Sequence, residues 1–120
     1  MSDHNTPVGE LRSLVAQFVT ERDWKQFHTP KNLSMSLAIE AAELMEHFQW
    51  LTPEQSRSIA DKPEKLAEVG EELADVLCYA LALANELQLD VSTCVRNKML
   101  KNAQKYPAEE FRGRYGVDDV

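Results

Sequence analysis

The apolar positions in the first half of this chain recur at the three- and four-residue spacing of α-helices. After a loose tail at residues 1–6, Thr6-Pro7 predicts a helix start, because a capping residue precedes the proline that favours a first turn. The apolar face of this helix comprises Leu11, Leu14, Val15, Phe18 and Val19. Residues 22–32 are predicted to form an ordered connection, since Pro30 disfavours helical geometry just before it. A second helix is predicted from about Leu33 to Gln49, with Asn32 as its N-cap.

The second half predicts a short helix, a long helix and a last helix. Their approximate bounds are 53–60, 64–87 and 91–105, and a C-terminal tail follows at 108–120. Thr52 and Asp90 are suited to cap the first and the last of these, and Pro63 and Pro107 mark breaks. The pattern therefore predicts an all-α fold, a single-domain four-helix bundle with a short extra helix. Because the long helix is apolar over much of its circumference, we expect a homo-oligomer.

Two acidic pairs stand inside these apolar helical stretches, Glu40 with Glu43 and Glu72 with Asp75. Residues three apart share a helix face, so each pair presents two carboxylates in one direction. Burying carboxylates among apolar side chains is costly unless a cation compensates, and four oxygen donors favour Mg²⁺, with Mn²⁺ as a substitute. A di-iron bundle would use Glu-x-x-His motifs. Here Glu46 stands three residues after Glu43 and the long helix has no histidine, which argues against iron.

Aromatic and basic residues offer further parts of a site. The aromatic group lies in the connections beside the acidic helix and comprises Trp24, Phe27, His28 and Trp50. It can stack on a base, or it can simply seal the end of the bundle. Tyr79, one turn after Asp75, would share its face and could reach a sugar hydroxyl. The last helix presents Lys98, Lys101, Asn102 and Lys105 on one face, which suits phosphates and equally suits the dipole of a helix C-terminus.

Charge and composition narrow the class of protein. The net charge of −7 and the pI near 4.9 argue against binding to a nucleic-acid polymer. The first ten residues lack the pattern of a signal peptide, and the longest apolar run, 76–84, is too short to span a membrane. Cys78 and Cys94 lack a metal-binding spacing, which indicates free thiols. We therefore expect a cytoplasmic protein with no membrane partner.

The acidic motifs, taken together with four other segments, resemble a known family. Glu40-x-x-Glu43, followed about 30 residues later by Glu72-x-x-Asp75, resembles the all-α nucleoside triphosphate pyrophosphohydrolases, the MazG-like enzymes. The segments similar to the dCTP pyrophosphatase branch of that superfamily are Arg22-Asp23-Trp24-Lys25-Gln26-Phe27-His28, Asn32-Leu33, Phe48-Gln49-Trp50, and Lys98-Met99 through Tyr106-Pro107. The resemblance extends over about residues 11–112.

The resemblance implies hydrolysis of dCTP, or of a modified dCTP, to the monophosphate and pyrophosphate in nucleotide-pool housekeeping. It implies that the catalytic residues, which are also the Mg²⁺ ligands, are Glu40, Glu43, Glu72 and Asp75. The implied substrate-binding residues are Trp24, Lys25, Gln26, Phe27, His28, Trp50, Tyr79, Lys98 and Asn102. It also implies a homo-oligomer, a tetramer rather than a dimer, in which neighbouring subunits complete the sites.

One position departs from that branch. Val15 stands where the branch can carry a histidine that contributes to the nucleotide site. The resemblance therefore implies the base preference less directly than it implies the reaction. Hydrolysis of dUTP, or of a broad range of triphosphates, is therefore the alternative within the superfamily. In another class, the chain would be a non-catalytic helical nucleotide-binding or adaptor module whose acidic pairs are only solvated.

Overall fold

A computed structural model describes residues 1–114, which form helices and turns and no strand. The chain divides into two compact units, Met1–Leu89 and Asp90–Val120, and each is described by itself. The first unit contains α1 (Val8–Glu21), a 3₁₀ turn (Lys25–Phe27), α2 (Pro30–Glu46), α3 (Pro53–Arg57), a second 3₁₀ turn (Ser58–Asp61) and α4 (Pro63–Leu87). The second unit contains α5 (Val91–Lys105) and α6 (Ala108–Phe111). The predicted all-α class, with four long helices, is confirmed.

The start of α2 corrects one prediction. The helix begins at Pro30, three residues before the predicted Leu33, and Asn32 is not its N-cap. Thr29 caps it instead, because the Thr29 hydroxyl accepts a hydrogen bond from the Asn32 amide at 3.2 Å. Pro30 disfavours helical geometry in the residue before it, and an N-cap requires just such an extended backbone. The proline therefore occupies the first position of this helix and does not delay the helix to Leu33.

The N-caps of α3 and α5 are the residues that the sequence predicted. Thr52 and Gln55 form a reciprocal capping box at α3, with the Gln55 side chain accepting from the Thr52 amide at 2.9 Å. Asp90 accepts from the Thr93 amide at 3.0 Å, as expected for the cap of the last helix. The predicted tail at 108–120 contains α6, and its residues from 115 onward lie outside the described residues.

The helices of the first unit are arranged around α4. Both α2 and α1 pack against α4, and the buried apolar side chains are Leu33, Ile59, Ala82 and Ala84. The two alanines give α4 a low surface there, which lets a neighbouring helix approach closely. Of the helices described, none is both long enough and apolar enough to cross a membrane.

The contact face of α1 is narrower than its apolar pattern predicted. Within α1 the half-buried residues are Val8, Arg12, Val15 and Val19, which follow helical spacing. Leu14 and Phe18, predicted as part of the apolar face, are 51% and 47% exposed. These two side chains stand beside the contact with α4, where the structure forms a pocket.

Candidate active site

Three carboxylates from two helices converge on one point. Glu40 and Glu43 of α2 and Glu72 of α4 each bring one oxygen within 4.8 Å of the others. They meet because α2 packs along α4 and because each motif places its carboxylates on the facing side of its helix. Glu40 and Glu72 are half-buried, and Glu43 is exposed, so the cluster is open to a ligand on one side.

The oxygens at the buried side of this cluster need a proton or a cation between them. Glu40 Oε2 and Glu72 Oε2 are both enclosed and have no hydrogen-bonding partner among the described residues. Burial of the Glu40 carboxyl raises its pKa to about 7, and hydrogen bonding of the protonated group to Glu43 and Glu72 adds to the rise. The negative charges of Glu43 and Asp75 raise the pKa further. Such a cluster fits a hard divalent cation, whose preferred ligands are carboxylate oxygens.

Asp75 is placed at the edge of the cluster. Its carboxylate does not join the group of three oxygens, although its charge contributes to the raised pKa of Glu40. Asp75 also lines a neighbouring pocket, and it raises the pKa of the Cys78 thiol, for which burial is the larger cause. Asp75 therefore connects the carboxylates electrostatically to that pocket.

A left-handed turn after α1 places the first aromatic residues. Asp23 has a φ of 53°, a conformation that Asp tolerates better than most residues. The Trp24 amide donates to the Val19 carbonyl and the Asp23 amide to the Thr20 carbonyl, which is the Schellman pattern of a helix end. Trp24 is thereby turned back over α1, where its ring meets Phe18 edge-on at 5.6 Å.

An aromatic pocket of about 350 Å³ lies between α1 and α4. Three predicted ligand-binding residues, Trp24, His28 and Tyr79, line it together with Asp75. Its other lining residues are Leu14, Val15, Phe18, Val19, Cys78 and Ala82. His28 Nδ1 is enclosed and has no partner among the described residues, so a hydrogen bond from a bound molecule would satisfy it. The pocket has the mixture of aromatic walls and few polar groups that binds small molecules.

A second cavity of about 290 Å³ adjoins this pocket. The two share Val15, Val19, His28 and Ala82, and the second adds polar groups of Thr20, Lys25, Asn85 and Glu86. Lys25 thus lines the cavity next to the aromatic pocket, and His28 lines both. Val15, the position that departs from the resembling branch, lines both cavities.

Three other predicted binding residues lie elsewhere in the first unit. The Gln26 side chain donates to the Asp23 carbonyl at 3.0 Å, and Phe27 is 60% exposed. Trp50 is 86% exposed and lines a separate depression near His47 and Lys65. The structure does not bring these residues into the aromatic pocket of their own chain, so their binding role stays a prediction.

The two predicted phosphate-binding residues belong to the second unit. Lys98 and Asn102 both lie in α5, where Lys98 is exposed and Asn102 is half-buried. The Asn102 amide group approaches the Met99 sulfur at 3.8 Å, as expected for residues three apart on one helix. Their role near phosphates also stays a prediction.

Known proteins match this chain in sequence and in fold. A sequence model described as the MazG-like family matches residues 35–115. The chain belongs to the MazG-like family. It is 43% identical over 104 residues to dCTP pyrophosphatase 1 of Rattus norvegicus, and 43% identical over 103 residues to that of Homo sapiens. These matches cover 87% and 86% of this chain but 61% of each relative, so the chain spans about three-fifths of their length.

A solved structure supports the same MazG-like fold. It is the crystal structure of a pyrophosphatase from Archaeoglobus fulgidus, which superimposes with a TM-score of 0.78 at 38% identity. The match covers 89% of this chain and 98% of that chain. The family match at residues 35–115 includes the positions of both acidic motifs, and the structural match covers most of the chain.

The structure adds lining residues that the sequence pattern of this MazG-like chain did not indicate as part of a site. Leu14 and Phe18 line the aromatic pocket, whereas their helical spacing predicted only a packing role. Asn85 and Glu86 of α4 line the second cavity. Asn85 could have been singled out by its place after the run Ala80-Leu81-Ala82-Leu83-Ala84, since an amide there requires a polar partner just as Asp75 does.

Proposed function

We propose that this chain is a Mg²⁺-dependent hydrolase that converts dCTP, or a modified dCTP, to the monophosphate and pyrophosphate. The observation that carries the proposal is the juxtaposition of the carboxylate cluster and the aromatic pocket at Asp75. The names of the relatives support the substrate, since two of them are dCTP pyrophosphatases, and the structural neighbour is a pyrophosphatase. A cytoplasmic enzyme of nucleotide-pool housekeeping accords with the two free cysteines.

The carboxylate cluster supplies the phosphate end of the proposed site. We assign Mg²⁺ to Glu40, Glu43 and Glu72, with Asp75 as the fourth ligand predicted by the motif. A divalent cation held there would neutralise phosphate charge and polarise phosphoryl oxygens, which the carboxylates cannot do by themselves. In the proposed reaction a water oxygen bonds to the α phosphorus and the bond to the bridging oxygen breaks. Pyrophosphate leaves, and the proton of the water passes to a carboxylate or to solvent.

The aromatic pocket supplies the nucleoside end. Trp24 and Tyr79 present aromatic surface on which a pyrimidine can stack, and His28 Nδ1 offers a hydrogen bond to it. Because the walls from Leu14 and Phe18 are apolar, they exclude water around the bound base. Asp75 lies at the end of this pocket, so a nucleotide bound there would extend its phosphates toward the carboxylates.

The base preference is the open part of the proposal. Val15 contributes no hydrogen bond where the dCTP pyrophosphatase branch can carry a histidine, and it lines both cavities. Loss of such a contact weakens discrimination between bases. Hydrolysis of dUTP, or of several triphosphates, is therefore the second candidate function.

We also propose that the chain assembles as a homotetramer. Seven large apolar residues of α2 and α4 are exposed, namely Met35, Ile39, Met45, Leu66, Leu73, Leu77 and Leu87. Exposed apolar surface of this extent is typical of an interface. In such an assembly, Trp50 and the α5 residues Lys98 and Asn102 are the candidates to complete a neighbouring subunit's site.

A nucleotide panel with separated products tests the function. Deoxy- and ribonucleoside triphosphates are incubated with Mg²⁺, and nucleotide products are resolved by chromatography. Orthophosphate is assayed with and without added inorganic pyrophosphatase. We expect dCMP, with phosphate appearing only after that addition. Formation of dCDP with direct release of orthophosphate would place the cleavage elsewhere and refute the proposal, and binding of dCTP without turnover would favour the non-catalytic module.

Matched variants connect that activity to the cluster. Glu43→Gln should abolish turnover, whereas Glu46→Gln changes an equally exposed carboxylate of α2 outside the cluster and should not. On α4, Glu72→Gln and Glu71→Gln form a second matched pair. Equal activity within either pair would contradict the assignment of the cluster.

A further inference from the structure

Arg12 and Asn85 join α1 to the end of α4 by reciprocal hydrogen bonds. Arg12 Nε donates to Asn85 Oδ1 at 2.9 Å, and Asn85 Nδ2 donates to the Arg12 carbonyl at 3.1 Å. Arg12 also donates through its guanidinium to the Leu89 carbonyl. Both polar atoms of the Asn85 side chain are therefore occupied, and the contact is part-buried. We call these two side chains the α1–α4 clamp.

Apart from the clamp, the half-buried face of α1 is apolar. The other half-buried residues of α1 are Val8, Val15 and Val19, whose apolar side chains make no directional contacts. Other side-chain hydrogen bonds of α1 stay within the helix, as in Gln17 to Glu21 at 2.9 Å. A hydrogen bond weakens steeply with distance and angle, so the clamp fixes the position of α1 along α4 where the valines do not.

The position of α1 along α4 determines the shape of the aromatic pocket. Helix α1 supplies the walls Leu14, Val15, Phe18 and Val19, and α4 supplies Asp75, Cys78, Tyr79 and Ala82. A slip of α1 by one turn would move the first set past the second by about 5.4 Å. The carboxylates of the cluster, in contrast, lie on α2 and α4 and do not depend on α1.

We propose that Arg12 and Asn85 are positioning residues, which hold α1 in the register on α4 that forms the base-binding pocket. The inference rests on the proposed function for the identity of the ligand. Asn85 lies ten positions beyond Asp75, roughly 15 Å along the helix, so the clamp acts on the pocket from its far end. Loss of the clamp should weaken nucleoside binding and leave the metal site intact.

The experiment removes the clamp and measures the two ends of the site separately. The variants are Arg12→Met, Asn85→Ala and their double variant, with Gln17→Met as a control that removes a hydrogen bond within α1 alone. Asn85→Asp is a rescue variant, because it keeps an acceptor for Arg12. Three quantities are measured well below the melting temperature: the Kd of a non-hydrolysable dCTP analogue by calorimetry, KM and kcat for dCTP, and the rise in Tm that Mg²⁺ produces.

We expect Arg12→Met and Asn85→Ala each to raise Kd and KM roughly tenfold, the scale of one lost charge-assisted hydrogen bond, with kcat and the Mg²⁺-induced rise in Tm unchanged. The Kd and KM of the double variant should be no higher than those of either single variant, and the Kd and KM of Asn85→Asp should stay within about twofold of wild type. A merely stabilising clamp would lower Tm and leave Kd and KM unchanged, and that result would overturn the proposal. If Arg12→Met does not fold, equal Kd values for Asn85→Ala and Asn85→Asp would overturn it as well.

A thiol measurement keeps the clamp testable without any nucleotide. Cys78 lines the aromatic pocket, so a displaced α1 should change its rate of alkylation several-fold in Asn85→Ala but not in Gln17→Met. If wild type hydrolyses no triphosphate, the proposed function fails, and the Cys78 rates still decide the clamp. If wild type hydrolyses dCTP and the clamp variants match it in KM and in the alkylation rate of Cys78, the positioning role is refuted and the proposed function stands.

Discussion

The metal-free carboxylate cluster should make the stability of this protein fall as the pH rises. The pKa of Glu40 is raised from 4.5 to about 7 by burial, by hydrogen bonding to Glu43 and Glu72, and by the charges of Glu43 and Asp75. The folded chain therefore holds a proton that the unfolded chain has already lost between these two pH values. This contribution to the free energy of unfolding is fully present below pH 4.5 and is lost as the pH rises through about 7.

The size of the effect follows from the pKa change and from the partial exposure of the group. Without solvent screening, the change in the pKa of Glu40 corresponds to about 3 kcal/mol of unfolding free energy. Because Glu40 is only half-buried, solvent screens its interactions, and about 1–2 kcal/mol is the expected loss. For a chain of 120 residues this corresponds to a decrease in Tm of roughly 4–8 °C between pH 4.5 and pH 7.5.

The assay is thermal unfolding followed by circular dichroism across this pH range, in EDTA and in excess Mg²⁺. Glu40→Gln is the control, because it removes the titrating group and leaves the other ionisable side chains in place. Wild type in EDTA should lose stability relative to Glu40→Gln as the pH rises, and Mg²⁺ should abolish that difference by replacing the proton. Parallel pH profiles of the two proteins in EDTA would refute the account of the cluster.

Three further predictions concern the proposed chemistry and the pocket. Asp75→Asn should abolish turnover while circular dichroism shows an unchanged helix content, since Asp75 is exposed; near-wild-type activity would contradict its place in the site. Trp24→Leu should raise KM for dCTP roughly tenfold with little change in kcat, because it removes a stacking surface, and an unchanged KM in steady-state kinetics would exclude Trp24 from base binding. Cys78 and Cys94 are both exposed, but burial and the charge of Asp75 raise the pKa of Cys78, so it should react with iodoacetamide more slowly than Cys94. A dCTP analogue should slow the reaction of Cys78 further, as measured by mass spectrometry of the labelled peptides, and protection of Cys94 alone would contradict the location of the pocket.

The features that could be predicted from sequence depend on local physics. Periodicity located the four long helices, and Asp90 capped the last of them as expected. The three-residue spacing placed Glu40 beside Glu43, because that relation is fixed by the helix itself. Pro30 has two effects that point to different helix starts: it restricts the residue before it, which predicted a later start, and it favours the first turn of a helix, which makes Thr29 the cap of α2.

The features that could not be predicted depend on how one helix lies on another. Apolar spacing on α1 does not distinguish a residue that packs against α4 from one beside the contact, so Leu14 and Phe18 were expected in the core. The pairing of Arg12 with Asn85 spans 73 positions, and no local rule selects it among the polar residues of both helices. The two halves of the proposed site differ in this respect. The carboxylates are placed mainly by the spacing within α2 and α4, whereas the pocket exists only at one register of α1. We therefore expect substitutions between α1 and α4 to change which nucleotide is accepted before they change whether a metal is bound.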